Sequence, residues 1–181
     1  HRNNLPNKIW INAGGDQGGP LGTFIESGQS LGSSNSYGVA LGDIDGDGDL
    51  DAFVTNENSE PNRLWINQGD GQFQDSGQLL GECDSRDVEL GDLDKDGDLD
   101  AFVGNQFPGN RVWINSGGTQ GGPIGLFIDS GQSLGVHPSG SVSLGDLDGD
   151  LDLDALVVGT YLPCTVLFNR GVLSCIDIDG D

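Results

Sequence analysis

The sequence predicts an all-β chain built from repeated units of four short antiparallel strands. Three observations carry that prediction. An acidic stretch recurs three times at intervals of about fifty residues. A segment that carries tryptophan in most of its copies recurs with it. No stretch keeps the apolar period of a helix, and the short runs of Val, Ile, Leu, Phe and Trp are bounded by Gly, Asn, Asp and Pro, as strands are.

The acidic stretch is GDIDGDGDLDAFV from Gly42, GDLDKDGDLDAFV from Gly91 and GDLDGDLDLDALV from Gly145. Asp43 to Asp92 spans 49 residues and Asp92 to Asp146 spans 54. The second marker is NKIWIN from Asn7, NRLWIN from Asn62, NRVWIN from Asn110 and CTVLFN from Cys164. A third is FIESGQSLG from Phe24, FQDSGQLLG from Phe73 and FIDSGQSLG from Phe127. A long Gly-rich spacer precedes the first and last of these (Gly14 to Gly22, Gly117 to Gly125) and a short one the middle copy, which accounts for most of the change in period.

Each unit then reads as four strands. In the first complete unit, strand A covers Tyr37 to Leu41 and the acidic loop follows. Strand B covers Leu50 to Thr55, strand C Arg63 to Asn67 and strand D Gln72 to Gly77. Four strands every 45 to 55 residues is the pattern of a β-propeller blade. The divisions are 1–35 (strands C and D of an incomplete blade), 36–81, 82–135, and 136–181 (a partial blade and the start of another unit). The tail IDIDGD, with Asp177, Asp179 and Asp181, reads as half of a fourth acidic loop. About three and a quarter blades is fewer than a closed propeller uses. The chain is therefore expected to be a piece of a longer propeller, or a protomer completed by other copies. It contains no Met, so it is read as starting after processing or cleavage.

Seven basic residues face 29 acidic ones, for a formal charge of −22, and 15 of the acids lie in the three loops. Such a surface excludes nucleic-acid binding and attraction to anionic membranes. No apolar run is long enough to insert into a bilayer.

In each loop five aspartates alternate over nine places. They are Asp43, Asp45, Asp47, Asp49 and Asp51; Asp92, Asp94, Asp96, Asp98 and Asp100; and Asp146, Asp148, Asp150, Asp152 and Asp154. Partly desolvated carboxylates this close repel by several kcal/mol. A hard divalent cation with many oxygen ligands resolves the repulsion, and Ca2+ suits it best. Three such ions would reduce the charge to about −16. In the first loop places 1, 3, 5 and 6 match an EF-hand loop, but place 12 of the three loops is Val54, Val103 or Val157 rather than the bidentate Glu, and the flanks are strands. A carboxylate at place 9 is expected to close the ligand set instead. Calcium loops of this kind point to an extracellular setting, which favours a Cys164–Cys175 disulfide over buried thiols and leaves Cys83 unpaired.

The pattern Gly-Asp-Leu-Asp-x-Asp-Gly-Asp-Leu-Asp-Ala, followed by Asn-Arg-Leu-Trp-Ile-Asn, resembles the FG-GAP/VCBS repeat, found in integrin α-subunit propellers and in some lectin propellers. The resemblance covers nearly the whole chain. It implies side-chain calcium ligands at places 1, 3, 5 and 9 of each loop and main-chain oxygens from Asp49, Asp98 and Asp152. The carboxylates of place 7 are then expected to solvate the loop. The third loop departs at Leu151, where the others have Gly48 and Gly97, so the weakest ion affinity is expected there.

Trp10, Trp65 and Trp113 share one repeat position and are expected to pack between blades. Lys8, Arg63 and Arg111 share another and are expected to pair with carboxylates of a neighbouring blade. His137 is expected to be solvated, and with His1 as the only other histidine no nucleophile–base pairing is readable. The expected role is therefore non-catalytic: binding or adhesion toward a glycan or an extracellular protein. The alternatives are a subunit that assembles with its own copies, and an appendage of a larger enzyme.

Overall fold

The computed structural model describes residues 5–14, 18–117, 121–135, 137–160, 163–170 and 176–177. Among them there is no helix. The N-terminal hairpin pairs β1 (Asn7–Asn12) with β2 (Phe24–Leu31). Unit one contains β3 (Ser36–Gly42), β4 (Asp51–Asn56), β5 (Arg63–Asn67) and β6 (Phe73–Asp75). Unit two contains β7 (Ser85–Gly91), β8 (Asp100–Asn105), β9 (Arg111–Asn115) and β10 (Phe127–Asp129). Unit three contains β11 (Ser139–Gly145), β12 (Asp154–Gly159), β13 (Thr165–Phe168) and β14 (Ile176–Asp177). Each unit is an antiparallel meander in chain order.

The register repeats. Gly42 pairs with Asp51, Gly91 with Asp100 and Gly145 with Asp154, so each acidic loop hangs from the same rung between strands A and B. Strand B is buried on both faces in units one and two, which is why it reads as a continuous apolar run. Phe53 of β4 clusters with Val88 of β7 and meets Phe127 of β10 edge-on, ring centroids 5.6 Å apart. Phe102 of β8 clusters with Val142 of β11 in the same way. The core therefore lies between successive sheets, and each unit finishes the packing of the one before it.

A polar clamp accompanies this packing. The Gln78 side chain donates to the Gly125 carbonyl at 2.7 Å and accepts from the Phe127 N–H at 2.9 Å. Gln29 makes the same pair with Gly71 and Phe73. The clamp gives the Gln of the third marker a role in two of its three copies that the sequence reading missed. Gln78→Ala leaves the Phe127 N–H unpaired and is expected to cost about 1–3 kcal/mol in urea unfolding.

Three expectations are corrected. Trp65 and Trp113 are buried, but Trp10 is exposed, because β1 has strand D (β2) beside it and lacks the strand B that lies on the other side of the tryptophan strand in a complete unit. The recurring cations pair within their own hairpins: Lys8 with Glu26 (3.0 Å), Arg63 with Asp75 (3.5 Å) and Arg111 with Asp129 (3.9 Å). Strand C is hydrogen-bonded to strand D, so the nearest acid is the Glu or Asp of the third marker rather than one in another unit. Ile176–Asp177 pair with β13 as a fourth strand rather than opening another acidic loop, and Asp179 and Asp181 lie outside the described residues.

Candidate metal centres

The three loops fold alike because the same carboxylates tie the same backbone groups. At place 1, Asp43, Asp92 and Asp146 accept the N–H of place 6 at 3.0, 3.1 and 3.2 Å. At place 5, Asp47, Asp96 and Asp150 each accept the N–H of place 7 at 2.9 Å. These short Asx-type bonds wrap the chain around its own acids.

Place 9 is the anchor. Asp51, Asp100 and Asp154 are almost fully buried at the start of strand B. One oxygen of each accepts the N–H of place 2 (Ile44, Leu93, Leu147) at 2.9 Å. The other accepts the N–H that ends the second marker (Asn67, Asn115, Asn169) at 2.8 Å. The acid thus joins loop, strand B and strand C. Burial pushes the Asp100 carboxyl up to about 7, against the pull of the Asn115 and Leu93 N–H groups.

Carboxylate oxygens of Asp43, Asp45 and Asp51 lie within 4.8 Å of one another, as do those of Asp92, Asp94 and Asp96, and of Asp146, Asp148 and Asp154. Each triad could hold a metal ion. The carboxyls of Asp45 and Asp148 are raised above the ordinary range, by desolvation first and then by neighbouring aspartates, Asp51 foremost for Asp45 and Asp150 for Asp148. The residues fit a cation on two grounds. The donors are hard carboxylate oxygens throughout, and Asp43 Oδ1 is buried without a hydrogen-bond partner.

In the second and third loops place 7 is not turned to solvent, contrary to expectation, while Asp49 of the first is half-exposed. Asp152 is buried, and Asp98 Oδ2 is sequestered where Gly117 leaves room for it; a Cβ on that glycine would collide with the carboxylate. Lys95 of the second loop crosses to pair with Asp152 of the third, with Asp150 and Asp146 also acting on its ammonium. No expectation from the sequence covered this contact, although Lys95 is the one non-glycine at place 4.

Leu151 has φ 72°, in the left-handed region that Gly48 (96°) and Gly97 (97°) occupy without strain. Its exposed side chain gives little packing in return. Leu151→Gly is expected to relieve about 1 kcal/mol and to tighten the third loop toward cations by about fivefold. Calcium titration of the variant beside the parent chain checks this, and an unchanged weakest step would refute it.

The remaining sequence expectations fall as follows. Gly125 of the second spacer is engaged by Gln78 and Asn115, so that end of the spacer serves packing between units. Cys83 and Cys164 are free thiols, and Cys175, the other half of the expected disulfide, lies outside the described residues. His137 is exposed. No described helix is long and apolar enough to cross a membrane.

No curated protein matches the chain. The model of the FG-GAP-like repeat matches it twice, over residues 43–103 and 92–157, each match running from one acidic loop through strand B of the next unit. With loops, strands and repeat length in agreement across most of its units, the chain belongs to the FG-GAP-like repeat family.

Proposed function

We propose that the chain is an extracellular, calcium-stabilised β-propeller segment that serves binding or adhesion and performs no catalysis. The observation that carries the calcium part is a carboxylate triad in each of the three loops, from places 1, 3 and 9 in the first and third and 1, 3 and 5 in the second, with every loop hanging from the same rung of its sheet. The ligands would be the aspartates at places 1, 3, 5 and 9, with main-chain oxygens at place 7. A bound Ca2+ supplies positive charge and cross-links the loop. The chain's own residues then hold strands A and B in register and anchor place 9 to strand C. The ion is a staple in this reading, since loops closed by their own carboxylates leave no position for a substrate.

The binding role rests on the family and on the acidic surface, which suits a glycan or a protein with basic side chains better than a nucleic acid. Isothermal titration with calcium tests the first half of the proposal. Three ions per chain are expected, the third the weakest, and a chain that takes up none overturns it. Retention on immobilised glycans or matrix proteins, measured in calcium and after chelation, tests the second half.

A further inference from the structure

Lys95 is the one basic residue inside the three acidic loops, in a chain with seven basic residues in all. It stands at place 4, where the other loops have Gly46 and Gly149. Its backbone is left-handed as theirs is, with φ 63° against 77° and 85° at the two glycines. A side chain is strained in that region, and a strained residue held in place points to an interaction that offsets the strain. Packing does not supply it, because about half of the Lys95 side chain is exposed.

The ammonium supplies it. Lys95 Nζ pairs with the buried Asp152 of the third loop, and Asp150 and Asp146 of that loop also act on it. Place 7 is held differently in the other two loops. Asp49 Oδ2 lies 3.1 Å from where a Cβ on Gly69 would stand, and Asp98 Oδ2 fills the room left by Gly117. Both glycines lie two residues past the Asn that ends the second marker of the same unit. The place-7 acids of loops one and two are thus seated against their own unit, and Asp152 is held from the unit before it. The contacts at place 4 differ as well. Ile124 of the second spacer approaches place 4 of loop one, 3.7 Å from where a Cβ on Gly46 would stand. The sequence of unit three has no Gly-rich spacer after Asn169, and place 4 of loop two itself carries the side chain that crosses to the next unit.

We propose that Lys95 is a tethered cation that latches loop two to loop three and competes with the divalent ion of the third loop for that loop's acids. The inference rests on the calcium reading above. Two of the acids that act on the ammonium, Asp146 and Asp150, are expected ligands of the third ion. Ammonium and ion carry charge of one sign and draw on the same carboxylates, so each weakens the hold of the other by the same factor. The third loop then has a second reason to bind weakly. Leu151 strains the backbone of the loop from within, and Lys95 opposes the ion from the neighbouring unit.

Amide NMR of the full chain during a calcium titration reads the loops one at a time. The N–H groups of Gly48, Gly97 and Leu151 each donate to the place-1 carboxylate of their own loop, so each reports its own ion. Lys95→Gln removes the charge and keeps most of the stem. It is expected to tighten the step seen at Leu151 by at least about fivefold. The step at Gly48 is expected to stay within about twofold of the parent, and that at Gly97 to move less than that at Leu151. Lys95→Arg keeps the charge and is expected to leave the third loop weak. By linkage, Lys95→Gln is also expected to destabilise the chain more in excess chelator than in saturating calcium, as read by urea unfolding. A third step unmoved or weakened by Lys95→Gln overturns the proposal and leaves the calcium reading intact. The same holds for a gain that falls chiefly on loop two, or for Lys95→Arg tightening the third loop as much as Lys95→Gln does. A parent chain in which none of the three amides responds to calcium overturns the calcium reading, and this inference with it.

Discussion

Chelating calcium is expected to lower the unfolding midpoint of the chain more than any single surface substitution does. Fifteen aspartates sit in three loops, and the formal charge is −22 with seven basic residues to oppose it. At free calcium about a hundredfold above the dissociation constant, each filled site stabilises the folded state by about 2.7 kcal/mol. Three sites then contribute an amount comparable to the whole stability of an ordinary domain, about 5–15 kcal/mol. Thermal melts followed by circular dichroism, in millimolar calcium and in excess chelator, give the comparison. Magnesium is expected to replace calcium poorly, because it demands a smaller octahedral shell and gives up water reluctantly. Equal midpoints in calcium and in chelator would mean that the loops are held by their hydrogen bonds alone.

The second large effect is expected at place 9. Asp51 is fully buried and accepts backbone N–H bonds from Ile44, Asp45 and Asn67 at 2.9, 3.3 and 2.8 Å. Asp51→Ala leaves those donors unpaired and is expected to cost about 3–6 kcal/mol, with or without calcium. Asp47, at place 5, is exposed and among the described residues accepts only from the Asp49 N–H. Asp47→Ala is expected to destabilise the chain mainly in calcium, because its principal loss is a ligand. Urea unfolding of both variants in both conditions separates the roles. If the two losses depended equally on calcium, place 9 would be a ligand and nothing more.

Much of the local structure was legible from the residues. Strand C of unit one is Arg63–Asn67 in both readings, and the predicted strand A, Tyr37 to Leu41, lies inside β3 (Ser36–Gly42). These strands are short, apolar and bounded by turn residues, so the signal is local. The strained place at Leu151 was legible for the same reason: two glycines at one repeat position mark a left-handed turn, and the third copy inherits its geometry. The acidic triads were legible as groups, because alternate places in a tight loop bring carboxylates together whatever surrounds them.

What lies between units was not legible in the same way. The Gln78 clamp reaches residues nearly fifty positions away, and Asn115 reaches Ile44 over a longer separation still. Nothing in the sequence pointed to the Lys95 contact, and the arginines of strand C were assigned to the wrong neighbours. Place 7 was expected in water, yet Asp98 and Asp152 turn inward, because the room they occupy depends on a glycine and a lysine from other loops.

By itself the sequence determined the repeat, the strands within it, the acidic triads and the family, because periodicity and turn chemistry act over a few residues. The tertiary structure alone decided which sides of those strands are covered. Trp10 and Val39 carry the same residue types as Trp65 and Val88, and only the presence or absence of a neighbouring sheet sets their burial. Burial is a property of the partner surface, and no residue's identity contains it.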